Sequence, residues 1–394
     1  MTALPPFAFA RIPDIHFGPG KLSALPQLIR RYGHRALFVT GSTSFVRSEA
    51  HARLKEKAIG SGIEILHATL SGEPSPEFVD ATVAEFRGKQ VDCVVGIGGG
   101  SPLDAGKAIS AMLPLEGSVV PFLECVDTQK HDGRKIPYIA VPTSSGTGAE
   151  ATKNAVLSSV GPDGYKSSLR HDNFVPDIAV VDPELMLSCP ADVTAACGLD
   201  ALTQLLEAYV SSKASPMTDA LALSGLEHVA AGFLPAYENG ANDLVARSHM
   251  AYAALLSGIV LANAGLGVVH GFAGPIGGFF PIRHGVVCGT LFGAATRANI
   301  DALRRDPVAN RIALEKHARA GALLSGEATA TIEDGCNRLL QTLDRWIAAT
   351  GIARLSAYGV TRTDLPRILD KSNNKNSPVT LDRQQMQAIL EARL

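Results

Sequence analysis

The stretch Val91-Asp92-Cys93-Val94-Val95-Gly96-Ile97-Gly98-Gly99-Gly100-Ser101-Pro102-Leu103-Asp104-Ala105-Gly106-Lys107 decides the fold. Its opening is a mostly apolar, Val-rich run of strand length, the pattern of a strand covered on both faces. Three glycines follow, a turn in which no side chain blocks a ligand, and Pro102 suits the first turn of a helix. A helix starting there aims its free amides and the positive end of its dipole past the strand. Glycine alone would fit an ordinary strand-to-helix turn. Strand, triple glycine, Ser and Pro in succession favour a diphosphate site.

Working outward, Ala36 to Thr40 reads as a strand ending at Gly41-Ser42, followed by helix-compatible sequence from Phe45 to Gly60. Ile63 to Leu66 reads as a further strand, and Glu77 to Arg87 places Phe78, Val79, Val83 and Phe86 near helical spacing. Strands at Ile136–Val141 and Ile178–Val181 complete the alternation. Apolar strands separated by helices imply a parallel sheet with both faces covered, a Rossmann-like nucleotide-binding architecture. A second polar loop, Pro142-Thr143-Ser144-Ser145-Gly146-Thr147-Gly148-Ala149-Glu150, also follows a strand, and its hydroxyls suit phosphate, ribose or a nicotinamide carboxamide. Two such loops at the carboxyl ends of parallel strands share one crevice.

Beyond Asp182-Pro183 the texture becomes helical, with candidate helices at Gly198–Tyr209, Thr218–Phe233, Leu244–Ala262, Ala309–Leu324 and Thr331–Thr350. We therefore expect an α/β dinucleotide-binding domain over residues 1–187 and an all-helical metal and substrate domain over 188–394. From His249 to Ile282 there is no Asp, Glu, Lys or Arg, over a length that could cross a bilayer. Asn263, His270, Pro275 and the glycines break that run, so it reads as a buried helix followed by a loop.

At 394 residues, 46% of them hydrophobic, the chain can bury two cores. Lys plus Arg (36) nearly balance Asp plus Glu (38), which argues against nucleic acid or an anionic membrane as partner. Six dispersed cysteines without a C-x-x-C pair read as reduced thiols, and Met1–Phe17 lacks the basic and apolar regions of a secretory signal. The expectation is a cytoplasmic enzyme for a small molecule, forming a homodimer or higher homo-oligomer.

Asp200 and Gln204 stand four residues apart, so on a helix they share one face. His270 and His284 bracket Gly271–Gly278, read as a loop that folds back to bring both imidazoles to the same point. Singly, each of these has a bland reading: a helix-start acid, a solvated amide, hydrogen-bonded loop histidines. Together, and downstream of two nucleotide-type loops, they read as a metal site.

The stretches Phe17-Gly18-Pro19-Gly20, GGGSPLDAGK, PTSSGTGAE, GLDALTQLLEA and VVHGFAGPIGGFFPIRHG resemble the iron-containing (group III) alcohol dehydrogenase family. The resemblance implies an α/β cofactor domain and a helical metal domain, the architecture shared with dehydroquinate synthases, and NAD- or NADP-dependent interconversion of alcohols and carbonyls. By that resemblance Asp200, His270 and His284 fall on metal ligands for Fe2+ or Zn2+. Gly98, Gly99, Gly100, Ser101, Asp104, Thr143, Ser144 and Thr147 fall on the cofactor-binding stretches, and Lys166 looks like the cofactor-proximal lysine.

Three positions depart from the family pattern. Gln204 stands where a histidine is usual, and an amide oxygen is a weaker, harder donor than imidazole. Gly274 replaces a common histidine, leaving proton relay to water or to another group such as His171. Gly41 and Ser42 stand where NAD-preferring members often carry an acid, leaving room for the 2′-phosphate of NADP. Phe272, Phe279 and Phe280 suggest an apolar wall near the histidines. Two other readings share this frame: a metal-independent NAD(P)H reductase resembling maleylacetate reductases, and a lyase resembling dehydroquinate synthases.

Overall fold

A computed structural model describes residues 6–394. The reading of Met1–Phe17 rests in part on Met1–Pro5, outside the described residues. The strands are β1 (Asp14–Phe17), β2 (Arg35–Gly41), β3 (Glu64–Leu70), β4 (Cys93–Gly98), β5 (Tyr138–Pro142), β6 (Asn154–Ser159), β7 (Tyr165–Arg170) and β8 (Ile178–Val181). In the first half the helices are α1 (Leu25–Ile29), α2 (Glu49–Gly60), α3 (Pro76–Phe86) and α4 (Gly100–Met112). The rest are α5 (Ala191–Tyr209), α6 (Pro216–Asn239), α7 (Leu244–Ala264), α8 (Val268–Phe279), α9 (His284–Leu303), α10 (Arg311–Ser325), α11 (Ile332–Thr350), α12 (Leu365–Lys371) and α13 (Arg383–Glu391).

The main sheet has the order β1-β8-β5-β4-β2-β3, every pairing parallel. Alternate residues face opposite cores, as a two-residue repeat dictates. Leu37, Val39 and Val94 meet Val79, Val83, Leu103 and Ile109 on one face, while Phe38, Val95 and Ile97 meet Leu25, Ile29 and Leu54 on the other. The chain leaves β2 outward to β3 but leaves β4 in the opposite direction to β5, so the strand order reverses between β2 and β4. In open α/β sheets a ligand crevice lies beyond the carboxyl ends at that reversal. Here those ends are Gly41 and Gly98.

Two strand features escape the sequence pattern. The short β1 pairs with β8, and β6 with β7 forms a separate antiparallel hairpin. Ala155, Leu157 and Leu169 of that hairpin are buried between serines, so its apolar signal is thin.

Helix α7 is long and apolar enough to cross a membrane by length and composition, but it packs inside the helical half against α5 and α6. The segment after it corrects the expected loop: Gly271–Gly278 lies within α8. Val268, Val269, Phe272, Ala273 and Ile276 bury one side of that helix, and its glycines serve contacts that a side chain would block. A Cβ on Gly271 would lie 1.8 Å from the Asn373 carbonyl oxygen, and one on Gly278 2.8 Å from the Tyr165 Cα. Burial and close backbone approach thus outweigh the helix-breaking cost of glycine and of Pro275. Of the phenylalanines near the histidines, Phe272 is fully buried in the core, while Phe279 and Phe280 stack under the Arg367 guanidinium.

Candidate active site

The nucleotide-type loops meet at the start of α4. Gly98 has φ 155°, and a Cβ there would lie 2.6 Å from the Pro102 ring. A Cβ on Gly99 would lie 3.2 Å from the Ser144 hydroxyl, and one on Gly100 3.0 Å from Thr147 Oγ1. The Thr143 amide donates to the Gly98 carbonyl at 2.8 Å. Gly41 closes the third side, where an added Cβ would lie 3.7 Å from the Pro102 ring, with exposed Ser42 beyond it. Gly99 caps α4 without a side-chain hydrogen bond, which leaves the first-turn amides, including that of Ser101, directed at the crevice.

Asp104 and Lys107 lie one turn deeper. Lys107 Nζ donates to the Ala149 carbonyl (2.9 Å), Thr152 Oγ1 (3.0 Å) and the Asn154 carbonyl (2.8 Å), tying α4 to the segment behind the second loop. Burial pushes the ammonium down to about 8 against the pull of Asp104 and Glu150. Burial likewise pushes Asp104 up to about 6 and Glu150 up to about 7. Asp104 Oδ2 accepts the Val156 amide at 3.2 Å, so this residue supports the turn from behind. Lys166, on β7, pairs with Glu73, which also accepts the Ser158 hydroxyl at 3.0 Å. Its aliphatic stem lies 3.2 Å from the Cβ position of Gly277 on α8, between the crevice and the histidines.

Helices α5, α8 and α9 bring Asp200, His270 and His284 together, joined by Cys288, with their ligand atoms all within 4.8 Å of one another. His270 Nε2 is 3.4 Å and His284 Nε2 3.7 Å from Asp200 Oδ1. Glu207, seven residues beyond Asp200, accepts from His270 Nδ1 at 2.7 Å and from the Val269 amide at 2.8 Å. That carboxylate fixes the ring so that Nε2 points into the cluster. Gln204 is also buried here, but its side-chain oxygen accepts the Ser257 hydroxyl at 2.9 Å.

Burial opposes the charged form of Asp200, but the two nearby imidazoles outweigh it and hold the carboxyl below its usual range. Burial also opposes the imidazolium of His270, and Cys288, Asp200 and Glu207 together raise it well above an ordinary histidine. His284 is pushed down to about 4 by burial and the Lys166 ammonium, despite Asp200. Burial pushes the Cys288 thiol up to about 12. Asp200 Oδ1 is buried without a hydrogen-bond donor, a costly state for a carboxylate and one that a cation relieves.

The two loops and the cluster are held in register where α7 crosses the second loop: a Cβ on Gly148 would lie 2.4 Å from the Gly258 amide nitrogen. His171 has no part in the cluster's hydrogen bonds; its Nδ1 accepts the Asn173 amide at 3.0 Å and its ring packs near Phe174. Gly274, one turn after His270, faces open space, with nothing within 4 Å of its Cβ position. Glu207 and Cys288 carried a signal in the sequence: Glu207 repeats the face of Asp200 two turns on, and Cys288 follows His284 by four.

Residues 13–183 match the iron-containing alcohol dehydrogenase family, and residues 194–394 match the Fe-containing alcohol dehydrogenase family, C-terminal. The chain is 32% identical to long-chain-alcohol dehydrogenase 1 of Geobacillus thermodenitrificans over 388 residues, covering 96% of this chain and 95% of that protein. It is 32% identical to 1,3-propanediol dehydrogenase of Klebsiella pneumoniae over 390 residues, 96% of each. The crystal structure of a 1,3-propanediol oxidoreductase superposes with a TM-score of 0.88 at 31% identity, covering 99% of this chain and 100% of that one. With both halves matched and relatives this similar along nearly the whole length, the chain belongs to the iron-containing alcohol dehydrogenase family.

Proposed function

We propose that this oxidoreductase interconverts a small alcohol and its aldehyde or ketone with NAD or NADP, using a divalent cation held by Asp200, His270 and His284. One observation carries the reading: in a chain with a glycine-rich turn at the strand reversal, a buried carboxylate oxygen without a donor is flanked by two imidazoles. When bound, the cation supplies Lewis acidity to the substrate oxygen and the nicotinamide supplies or accepts the hydride.

The chain's own residues set the geometry. Gly98, Gly99 and Gly100 let the diphosphate approach α4, and Thr143, Ser144 and Thr147 offer hydroxyls along its path. Glu207 keeps His270 in one orientation. Lys166, paired with Glu73, packs its stem beside α8. The opening at Gly274 admits water, which carries the proton in place of a side chain. Gly41 and exposed Ser42 leave space for a 2′-phosphate, so NADP is accepted alongside NAD. A small substrate such as the 1,3-propanediol named for one relative suits this frame, and six unpaired cysteines suit a reducing cytoplasm.

The test is metal analysis of protein purified without chelator, then oxidation of NADH and NADPH with an aldehyde panel, with and without added ferrous iron or zinc. About one cation per chain and activity lost in Asp200→Ala are expected. Full activity in that variant sinks the reading, and turnover without net cofactor oxidation would indicate a lyase.

A further inference from the structure

We propose that Cys288 is a metal ligand, so that the cation is held by Asp200, His270, His284 and a thiolate, with Gln204 standing outside. The proposal rests on the metal reading above and concerns which atoms of this chain complete the site.

The distances carry it. Around a tetrahedral zinc with ordinary bond lengths, an imidazole nitrogen and a carboxylate oxygen lie about 3.3–3.4 Å apart, and a nitrogen and a sulfur about 3.6 Å. Cys288 Sγ is 3.6 Å from His270 Nε2 and 3.6 Å from His284 Nε2. Asp200 Oδ1 is 3.4 Å and 3.7 Å from the same two nitrogens. Four of the six edges of a coordination tetrahedron thus lie near these lengths, and all four atoms lie within 4.8 Å of one another.

Independent observations point the same way. Asp200 Oδ1 is buried and has no hydrogen-bond partner, although it lies among the donor atoms of His270, His284 and Cys288. Cys288 is fully buried, and its polar contacts are with the site's own groups. By contrast, the buried thiols of Cys93 and Cys336 donate to the carbonyls of Val94 and Leu314. Gln204 is occupied: its oxygen holds the Ser257 hydroxyl on α7. The side chain four residues after Asp200 on α5 is thus engaged elsewhere, while the one four residues after His284 on α9 joins the cluster.

Two consequences follow from the chemistry. Loading breaks the S–H bond, forms the sulfur–metal bond and releases the thiol proton to solvent, together with any proton carried on His270 Nε2, while its Nδ1–H stays hydrogen-bonded to Glu207. A carboxylate and a thiolate together balance a divalent cation, and a soft sulfur donor favours zinc over ferrous iron relative to an all-nitrogen-and-oxygen site.

Chain stripped by chelator and reloaded with one equivalent of Zn2+ tests this by X-ray absorption at the zinc edge. One sulfur neighbour at about 2.3 Å is expected. One bound zinc with only nitrogen and oxygen neighbours overturns the proposal and leaves the metal reading standing; failure to bind zinc or ferrous iron overturns both. Cobalt-loaded protein gives a second measurement. A thiolate-to-cobalt charge-transfer band should appear in the wild type and in Cys197→Ser but vanish in Cys288→Ser. A band that persists in Cys288→Ser also overturns the proposal, and the absorption result on unaltered protein stands even where that variant fails to fold.

Discussion

At the scale of single residues, the site depends on one carboxylate that is not itself in the cluster. Glu207 holds both His270 Nδ1 and the Val269 amide, so it fixes the ring and the start of α8 together. Removing such an orienting partner from a metal-bound histidine costs about 10–100-fold in metal affinity. Glu207→Gln should show that loss in competition with a chromophoric chelator while its far-ultraviolet circular dichroism stays unchanged. Asp200, His270 and His284 were legible because a carboxylate and two imidazoles are the donors one looks for. Glu207 and Cys288 carried only a spacing signal, since a glutamate in a helix reads as solvated and a buried thiol as core, and three-dimensional proximity is what separates those readings. Gln204 was read from its spacing alone, which fixes the face of the helix but not what the amide bonds to.

At the scale of elements, α8 contains two glycines with opposite demands. Gly274 meets nothing within 4 Å, whereas Gly271 approaches a backbone carbonyl. Gly274→Ala should raise stability by about 0.5–1 kcal/mol through helix propensity, and Gly271→Ala should lower it by about 1–3 kcal/mol through overpacking, both read from urea denaturation midpoints. The helical state of this segment was hidden from the sequence because glycine and proline are local signals, and the contacts that override them come from Asn373 and Tyr165, distant in the chain. In α4, replacing Lys107 by Met leaves two buried carbonyls without their donor and should cost about 2–4 kcal/mol. Glu150, behind the second loop, gives a pH signature. Its folded value is raised from 4.5 to about 7, so its contribution is fully present below pH 4.5 and lost as pH rises to about 7. Asp104, raised to about 6, acts in the same sense. Lys107, lowered to about 8, makes stability rise only above that pH. Denaturation between pH 4.5 and 7 should therefore show a shallower loss of stability in Glu150→Gln than in the wild type.

At the scale of the whole molecule, the cluster draws ligands from α5, α8 and α9, so a bound cation ties three helices that are distant in sequence. Free metal at a hundred times its dissociation constant should stabilise the fold by about 2.7 kcal/mol, seen as a fall in Tm on chelation. The α/β sheet was legible because apolar strands repeat with helices between them. The docking of the halves was not, because Gly148 on Gly258 is a contact between two residues without side chains. One further consequence concerns how the chain is made. The uncharged run from His249 to Ile282 has the look of an export or insertion signal while it is emerging from the ribosome. Helices α5 and α6, which cover α7 in the finished protein, precede it in the chain. The cover is synthesised before the segment it hides, so the order of translation itself shortens the time during which that segment is exposed to membranes or to other nascent chains.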